Sequence, residues 1–335
     1  MKKPSLENVK ILVVDGDIQI SGIVKQSLKD LGFENCHYLR TYTDAVEFLQ
    51  TQAIDLLITE WVLRPSDGLE LVRHVRLGEN SLNRGVPIIM LTARGEIADI
   101  QAARDAGITE FLIKPFTVKT LFDRIEHVVE NPRWFVVSNS FVGPDRRRKR
   151  KAGASQDERR RRQPLPTSKQ GRDIPNPSQS PMILPPDFEL RRTMGLVGNL
   201  SDLITADMIE AAQRSIDAMQ EESIQWIKED LVASERAFIQ IEAGDASEDN
   251  LDQLQMGVLS LKSRAGIFGY RAASDIAQLL YSFLRNSYDP HKTGHNPIVR
   301  QCIEALKIVL ARNLKLQESM VTELIRELRQ TMQRL

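Results

Sequence analysis

Residues 10–32 read KILVVDGDIQISGIVKQSLKDLG. Their hydrophobic period changes once, from a continuous aliphatic run at Lys10 to Val14 to helical spacing between Ile18 and Leu31, closed by Gly32. The stretch is a strand followed by a helix, with Asp15, Gly16 and Asp17 in the turn between them. The same alternation recurs as CHYL then TDAVEFLQ, DLLITE then GLELVRHVR, VPIIMLTA then EIADIQAARDAG, and EFLIKPF then TVKTLFDRIEHVVE. Five strands alternating with five helices through short connections predict an α/β fold: a doubly wound, five-stranded parallel sheet with helices on both faces. Ligand chemistry on such a sheet belongs at the carboxyl ends of the strands. Asp15, Gly16, Asp17, Glu60, Thr92 and Lys114 fall at those ends and converge although they are far apart in the chain.

The remaining sequence is too long for this sheet alone. At 335 residues, 41% hydrophobic and 27% charged, the composition fits about two globular domains and excludes a wholly disordered or collagen-like chain. No apolar run approaches the roughly 20 residues that cross a bilayer, and the first residues carry no secretory h-region. A cytoplasmic protein without a membrane span is expected. Two cysteines, Cys36 and Cys302, are too few for a disulfide framework and fit a reducing compartment.

Lys plus Arg equals Asp plus Glu, yet the charge is unevenly placed. Between Pro144 and Asp173 twelve basic residues face four acidic ones, a local excess of eight. The prolines cluster in the same region. Residues 133–186 therefore read as a basic disordered linker between a first domain at 1–132 and a second at 187–335. The linker is either a solvated spacer or a site for an anionic partner, nucleic acid included; it lacks the interleaved aromatics of a single-strand binder.

After Pro186 long helical patterns take over, predicting helices over about 206–243, 251–265, 272–285 and from Pro297 onward, an all-α bundle. His291 and His295 lie in DPHKTGHNP and read as a surface loop.

The first domain resembles the response-regulator receiver domain, the flavodoxin-like module of two-component signalling, through ILVVDGD, LLITEWVLRPSDGLELVRHVR, PIIMLTAR and AGITEFLIKPF. The resemblance implies roles residue by residue. Asp15 matches the first metal-binding acid, Thr92 the switch hydroxyl, Phe111 the aromatic switch, and Lys114 the phosphate-reading lysine, followed by Pro115 in a step that is usually cis. Two positions depart from the family. Gly16 stands where a second ligating acid is expected, and Glu60 stands where the family has its phospho-accepting aspartate. Magnesium needs close oxygen coordination, and phosphoryl transfer depends on positioning to within about 1 Å. The departures imply a degenerate pseudo-receiver with no resident cofactor. Weak Mg2+ binding at Asp15 and Glu60 stays open. Asp17 is acidic in the family as well and does not replace the missing ligand. Glu60 is then a mimic of the phosphorylated state, a partner for Lys114, or part of a buried charge cluster with Asp15 and Lys114.

LSLKSRAGIFGYRAASDIAQLLYSFL (259–284) resembles the core of a histidine-phosphotransfer (HPt) domain, with Leu259 where the acceptor histidine would stand. An aliphatic side chain has no lone pair with which to attack phosphorus. Both modules thus resemble phosphorelay parts without the acceptor atom. The expected function is a noncatalytic, atypical response regulator acting by protein–protein docking, and not an enzyme. Its expected partners are a histidine kinase, a phosphotransferase or a receiver protein. The docking surfaces implied are Lys262, Ser263 and Arg264 beside Leu259, and the face of the receiver's fourth helix, fifth strand and fifth helix, which could also support a homodimer. The alternatives are a nucleic-acid-associated regulator using the arginine-rich linker, or a receiver still phosphorylated by another route.

Overall fold

Strands as densely aliphatic as these have no polar face to give to solvent and must lie inside a sheet covered on both sides. The computed structural model describes residues 4–146, 182–186, 188–311 and 319–333. In it, β1 (Ile11–Val14), β3 (Leu56–Thr59) and β4 (Ile88–Thr92) are buried at every position. The half-exposed β2 (Cys36–Leu39) and β5 (Glu110–Ile113) form the edges. The five strands are parallel in the order β2-β1-β3-β4-β5. Helices α1 (Ile18–Asp30), α2 (Tyr42–Thr51), α3 (Gly68–Leu77), α4 (Ile97–Ala106) and α5 (Val118–Glu130) follow the strands in turn. The chain divides into two compact units, Met1–Ile113 with Val118–Arg214, and Lys114–Thr117 with Ser215–Leu335.

The first unit contains a second sheet that the sequence reading missed. β6 (Phe135–Ser138) and β7 (Phe141–Pro144) form a hairpin through the two-residue turn Asn139–Ser140, and β8 (Met182–Leu184) pairs antiparallel with the other edge of β6. Phe135, Val137 and Val142 supply the aromatic and β-branched side chains a short hairpin needs. The ends of the segment read as a linker are therefore strands, and both bracketing strands bond to β6. Val137, Val142 and Leu184 make a small core with Leu77 of α3. Gly107 closes α4 in the left-handed region at φ 103°, and a Cβ there would lie 2.6 Å from the Val142 carbonyl oxygen. Only glycine allows β7 to approach this closely.

Arg76 of α3 seats this sheet. Its side chain is completely buried, with Nε donating to the Gly107 carbonyl (2.9 Å) and Nη1 to those of Arg84 (2.6 Å) and Val86 (2.7 Å). The guanidinium lies 5.2 Å from the ring centre of Phe135 in β6. Burial lowers its pKa to about 9, which leaves it a cation at neutral pH.

Residues after β8 run along α5. They form α6 (Glu189–Met194), a single 3-10 turn (Leu200–Asp202) and α7 (Ala206–Asp217). The Leu200 amide donates to the Glu130 carboxylate at the end of α5 (2.6 Å), and the Val118 amide at its start donates to Gln213 Oε1 (3.0 Å). Leu190, Met194, Leu200 and Ile204 are the buried side chains of this strap. The boundary between units falls within α7, at 214–215.

The second unit is helical: α8 (Gln220–Glu242), α9 (Glu248–Ile267), α10 (Arg271–Asn286), α11 (His295–Ala311) and α12 (Ser319–Gln333). The single helix expected over 206–243 is two. The chain turns at residues 218–219, and Gln220 caps the end of α9 by donating to the Phe268 carbonyl (3.1 Å). Apolar spacing continues across the break without a phase shift, so periodicity does not reveal it. His295 is not on a surface loop: it is buried in the first turn of α11, where Nδ1 accepts the Asp289 amide (3.0 Å) and the ring stacks on Tyr288. Cys302 is buried, which pushes its thiol up to about 12 and leaves it unreactive at neutral pH. No helix among the described residues is long and apolar enough to cross a membrane.

Candidate functional site

Register decides which side chains meet at the strand ends. Val14 lies opposite Thr59 in the β1–β3 pair. The next residues, Asp15 and Glu60, therefore leave adjacent strands at one level, on backbones about 4.8 Å apart. The Glu60 amide donates to the Val14 carbonyl at 2.9 Å, which keeps the two strands paired up to that point. Thr92 is the last residue of β4 and lies opposite Ile113, the last of β5. Lys114 follows directly, is buried, and is joined to Pro115 by a cis peptide bond as the resemblance implies; Arg64–Pro65 is also cis.

Asp15, Glu60 and Thr92 are all buried. Buried carboxylates need hydrogen-bond donors, and here the backbone just downstream supplies some of them. Asp15 Oδ1 accepts the Asp17 amide (2.9 Å), and Asp17 Oδ1 accepts those of Gln19 (3.0 Å) and Ile20 (3.1 Å) as the N-cap of α1. Glu60 Oε1 accepts the amide of Trp61 (2.6 Å), and Thr92 Oγ1 that of Arg94 (3.3 Å). Glu60 Oε1 and Thr92 Oγ1 each accept an amide of the loop that follows their own strand. One extra methylene relative to aspartate gives Glu60 the reach to close onto the next amide.

The model of the response regulator receiver domain matches residues 11–126. Chemotaxis protein CheY-3 of Vibrio cholerae is 32% identical over 124 residues, which cover 37% of this chain and 94% of that protein. Chemotaxis protein CheY of Pseudomonas aeruginosa is 34% identical over 122 residues, 36% of this chain and 97% of that protein. The chain belongs to the response regulator receiver family. A solved structure of the chemotaxis response regulator CheY4 of Vibrio cholerae is 29% identical, covers 36% of this chain and 98% of that one, and superposes with a TM-score of 0.33. The receiver is thus a module of two-component signalling, and receivers interact with histidine kinases and phosphotransfer proteins.

The magnesium site that the family implies is altered in its residues here. Gly16 supplies no side-chain oxygen. The Asp17 carboxylate caps α1, and Glu60 Oε1 is held by an amide. Asp15 is the one remaining acid of the pair after β1, against the near-octahedral oxygen shell that Mg2+ demands. Among the described residues no group of three or more His, Cys, Asp or Glu is placed to hold a metal. Phe111 of β5 is half-buried and packs against the core cluster that contains Met90 and Ala103.

In the second unit, Leu259, Lys262 and Ser263 of α9 are buried, and Ser263 Oγ donates to the Leu259 carbonyl (2.9 Å). Arg264 is held by Asp230 of α8 at 3.0 Å, with both side chains mostly covered. Helical spacing alone cannot separate a buried stripe from a presented one. Residues 200 and 213 of the same chain bond to the two ends of α5. Of the arginine run, Arg146 pairs with Asp105 of α4 at 2.7 Å and stacks on Phe141; the rest, at 147–162, lies outside the described residues. The sequence reading gave Trp61 and Arg94 no role, although each sits within two residues of a site position. They face each other at the pocket rim.

Proposed function

We propose that this protein is a noncatalytic receiver, a pseudo-receiver that modulates two-component signalling by docking with a histidine kinase, phosphotransferase or receiver protein. Its helical region is then an HPt-like module without an acceptor histidine, because Leu259 occupies that position. The observation that carries the reading is the Glu60 carboxylate turned back onto the Trp61 amide, beside a glycine where a ligating acid belongs. In-line phosphoryl transfer depends on positioning and charge neutralisation, and this pocket lacks the aspartate acceptor and the second ligating acid that serve them in the family.

The test is titration of the full-length chain with Mg2+ and then beryllofluoride, followed by fluorine NMR, beside a Gly16→Asp, Glu60→Asp double variant. A Cβ at Gly16 would meet only the Arg40 carbonyl oxygen, at an ordinary 3.5 Å, so the restoring aspartate has room. The wild type is expected to show no bound fluoride resonance and the double variant a saturable one. A saturable wild-type signal would replace this reading with that of a receiver phosphorylated by another route.

A further inference from the structure

The two loops that border the pocket are tied to each other by a contact that the family motifs do not include. On the β3 side, Glu60 Oε1 holds the Trp61 amide at 2.6 Å, and the Trp61 ring is almost fully buried, 6% exposed. On the β4 side, the Arg94 amide donates to Thr92 Oγ1 at 3.3 Å. The Arg94 guanidinium carbon stands 5.3 Å from the centre of the Trp61 ring. That is within the roughly 6 Å over which a cation is drawn to an indole face, the strongest of the aromatic faces. Arg94 Nε is buried without a hydrogen-bond partner among the described residues, so the indole is the seat that explains its placement.

Glu60, Trp61, Arg94 and Thr92 thereby form a closed circuit from the end of β3 to the end of β4. The segment it fixes is tight on its far side as well. A Cβ on Gly95 would lie 2.9 Å from Ile113 Cδ1 at the end of β5, and the Glu96 amide donates to Asp99 Oδ2 (3.2 Å) at the start of α4. The position of the β4–α4 loop is thus set from Trp61, Ile113 and α4 together.

We infer that the Arg94–Trp61 pair is a built-in clasp that holds the β3–α3 and β4–α4 loops in one arrangement with no phosphoryl group between them. The clasp deepens the noncatalytic reading and in that sense rests on it: a receiver that takes no phosphate keeps a fixed rim to present to partners. Arg94 and Trp61 are positioning residues, acting on the loops through each other.

Each loop carries its own reporter, because each contains an amide bonded to a side chain of the preceding strand. Hydrogen exchange is followed on the full-length chain as wild type, Arg94→Ala, Trp61→Leu and the double variant. Arg94→Ala is expected to speed exchange of the residue 61 amide, on the opposite loop, about tenfold. Trp61→Leu is expected to do the same at the residue 94 amide, and the double variant to add little to either. Arg94→Lys keeps the charge without the flat stacking surface and should fall between wild type and Arg94→Ala. Cross-loop exchange within twofold of wild type, or effects that multiply in the double variant, would overturn the clasp. The beryllofluoride titration reads something else: a wild-type signal there removes the noncatalytic reading while the exchange cycle still decides the clasp.

Discussion

Gly68→Ala is expected to destabilise the receiver unit by about 3 kcal/mol or more, the cost of forcing an atom into packed backbone. Gly68 opens α3, and its amide donates to the Trp61 carbonyl at 2.7 Å. A Cβ there would lie 2.0 Å from the Glu60 carbonyl oxygen and 3.1 Å from the Trp61 Cα. These are backbone atoms at the end of β3 and cannot swing aside. Relief requires the β3–α3 loop to move, which carries Glu60 and Trp61 away from their partners. Denaturant-dependent hydrogen exchange of the β3 amides reads the loss in this unit separately from the helical one. Gly22→Ala is the control: it lies within α1 with nothing within 4 Å of the added carbon. Glycine to alanine in an open helix interior should stabilise by about 0.5–1 kcal/mol. Equal behaviour of the two variants would refute the close approach at Gly68.

Arg76→Met should cost about 3–5 kcal/mol, the range for removing a buried charged group that serves three buried carbonyls. Methionine fills much of the same volume but donates nothing, and the carbonyls of Gly107, Arg84 and Val86 lose the donors that now serve them. Phe135→Leu removes only the ring beneath the guanidinium and should cost on the order of 1 kcal/mol. The readout is exchange protection in β6 and at the end of α4, which the sheet and Arg76 hold together. A loss below about 1 kcal/mol for Arg76→Met would mean that the guanidinium is not what seats the second sheet on the receiver.

The legible part of this molecule is the part fixed by local period and by strand-end chemistry. Continuous aliphatic runs at 11–14, 56–59 and 88–92 are the buried central strands, and parallel winding then brings Asp15, Glu60 and Thr92 to one edge. What local pattern does not encode is where a side chain turns once it arrives. Glu60 Oε1 and Thr92 Oγ1 each accept an amide of the following loop, an arrangement that depends on loop geometry set partly by Gly68. Phe135 to Pro144 was obscured by its neighbourhood: two short strands beside a proline-rich, arginine-rich stretch look like its margin. The Arg94–Trp61 contact joins two loops distant in the chain, which local pattern does not encode either.

The pairing of β7 and β8 with the same strand gives the receiver an unusual tolerance. A protease cut anywhere between Pro144 and Met182 would divide the polypeptide without separating its pieces. The downstream fragment would stay zipped to β6 through β8 and pinned to both ends of α5 by Leu200 and Gln213. Such a nicked protein would migrate as one species under native conditions and as two only in denaturant. The first unit can therefore be regarded as a split assembly whose two pieces happen to be covalently joined.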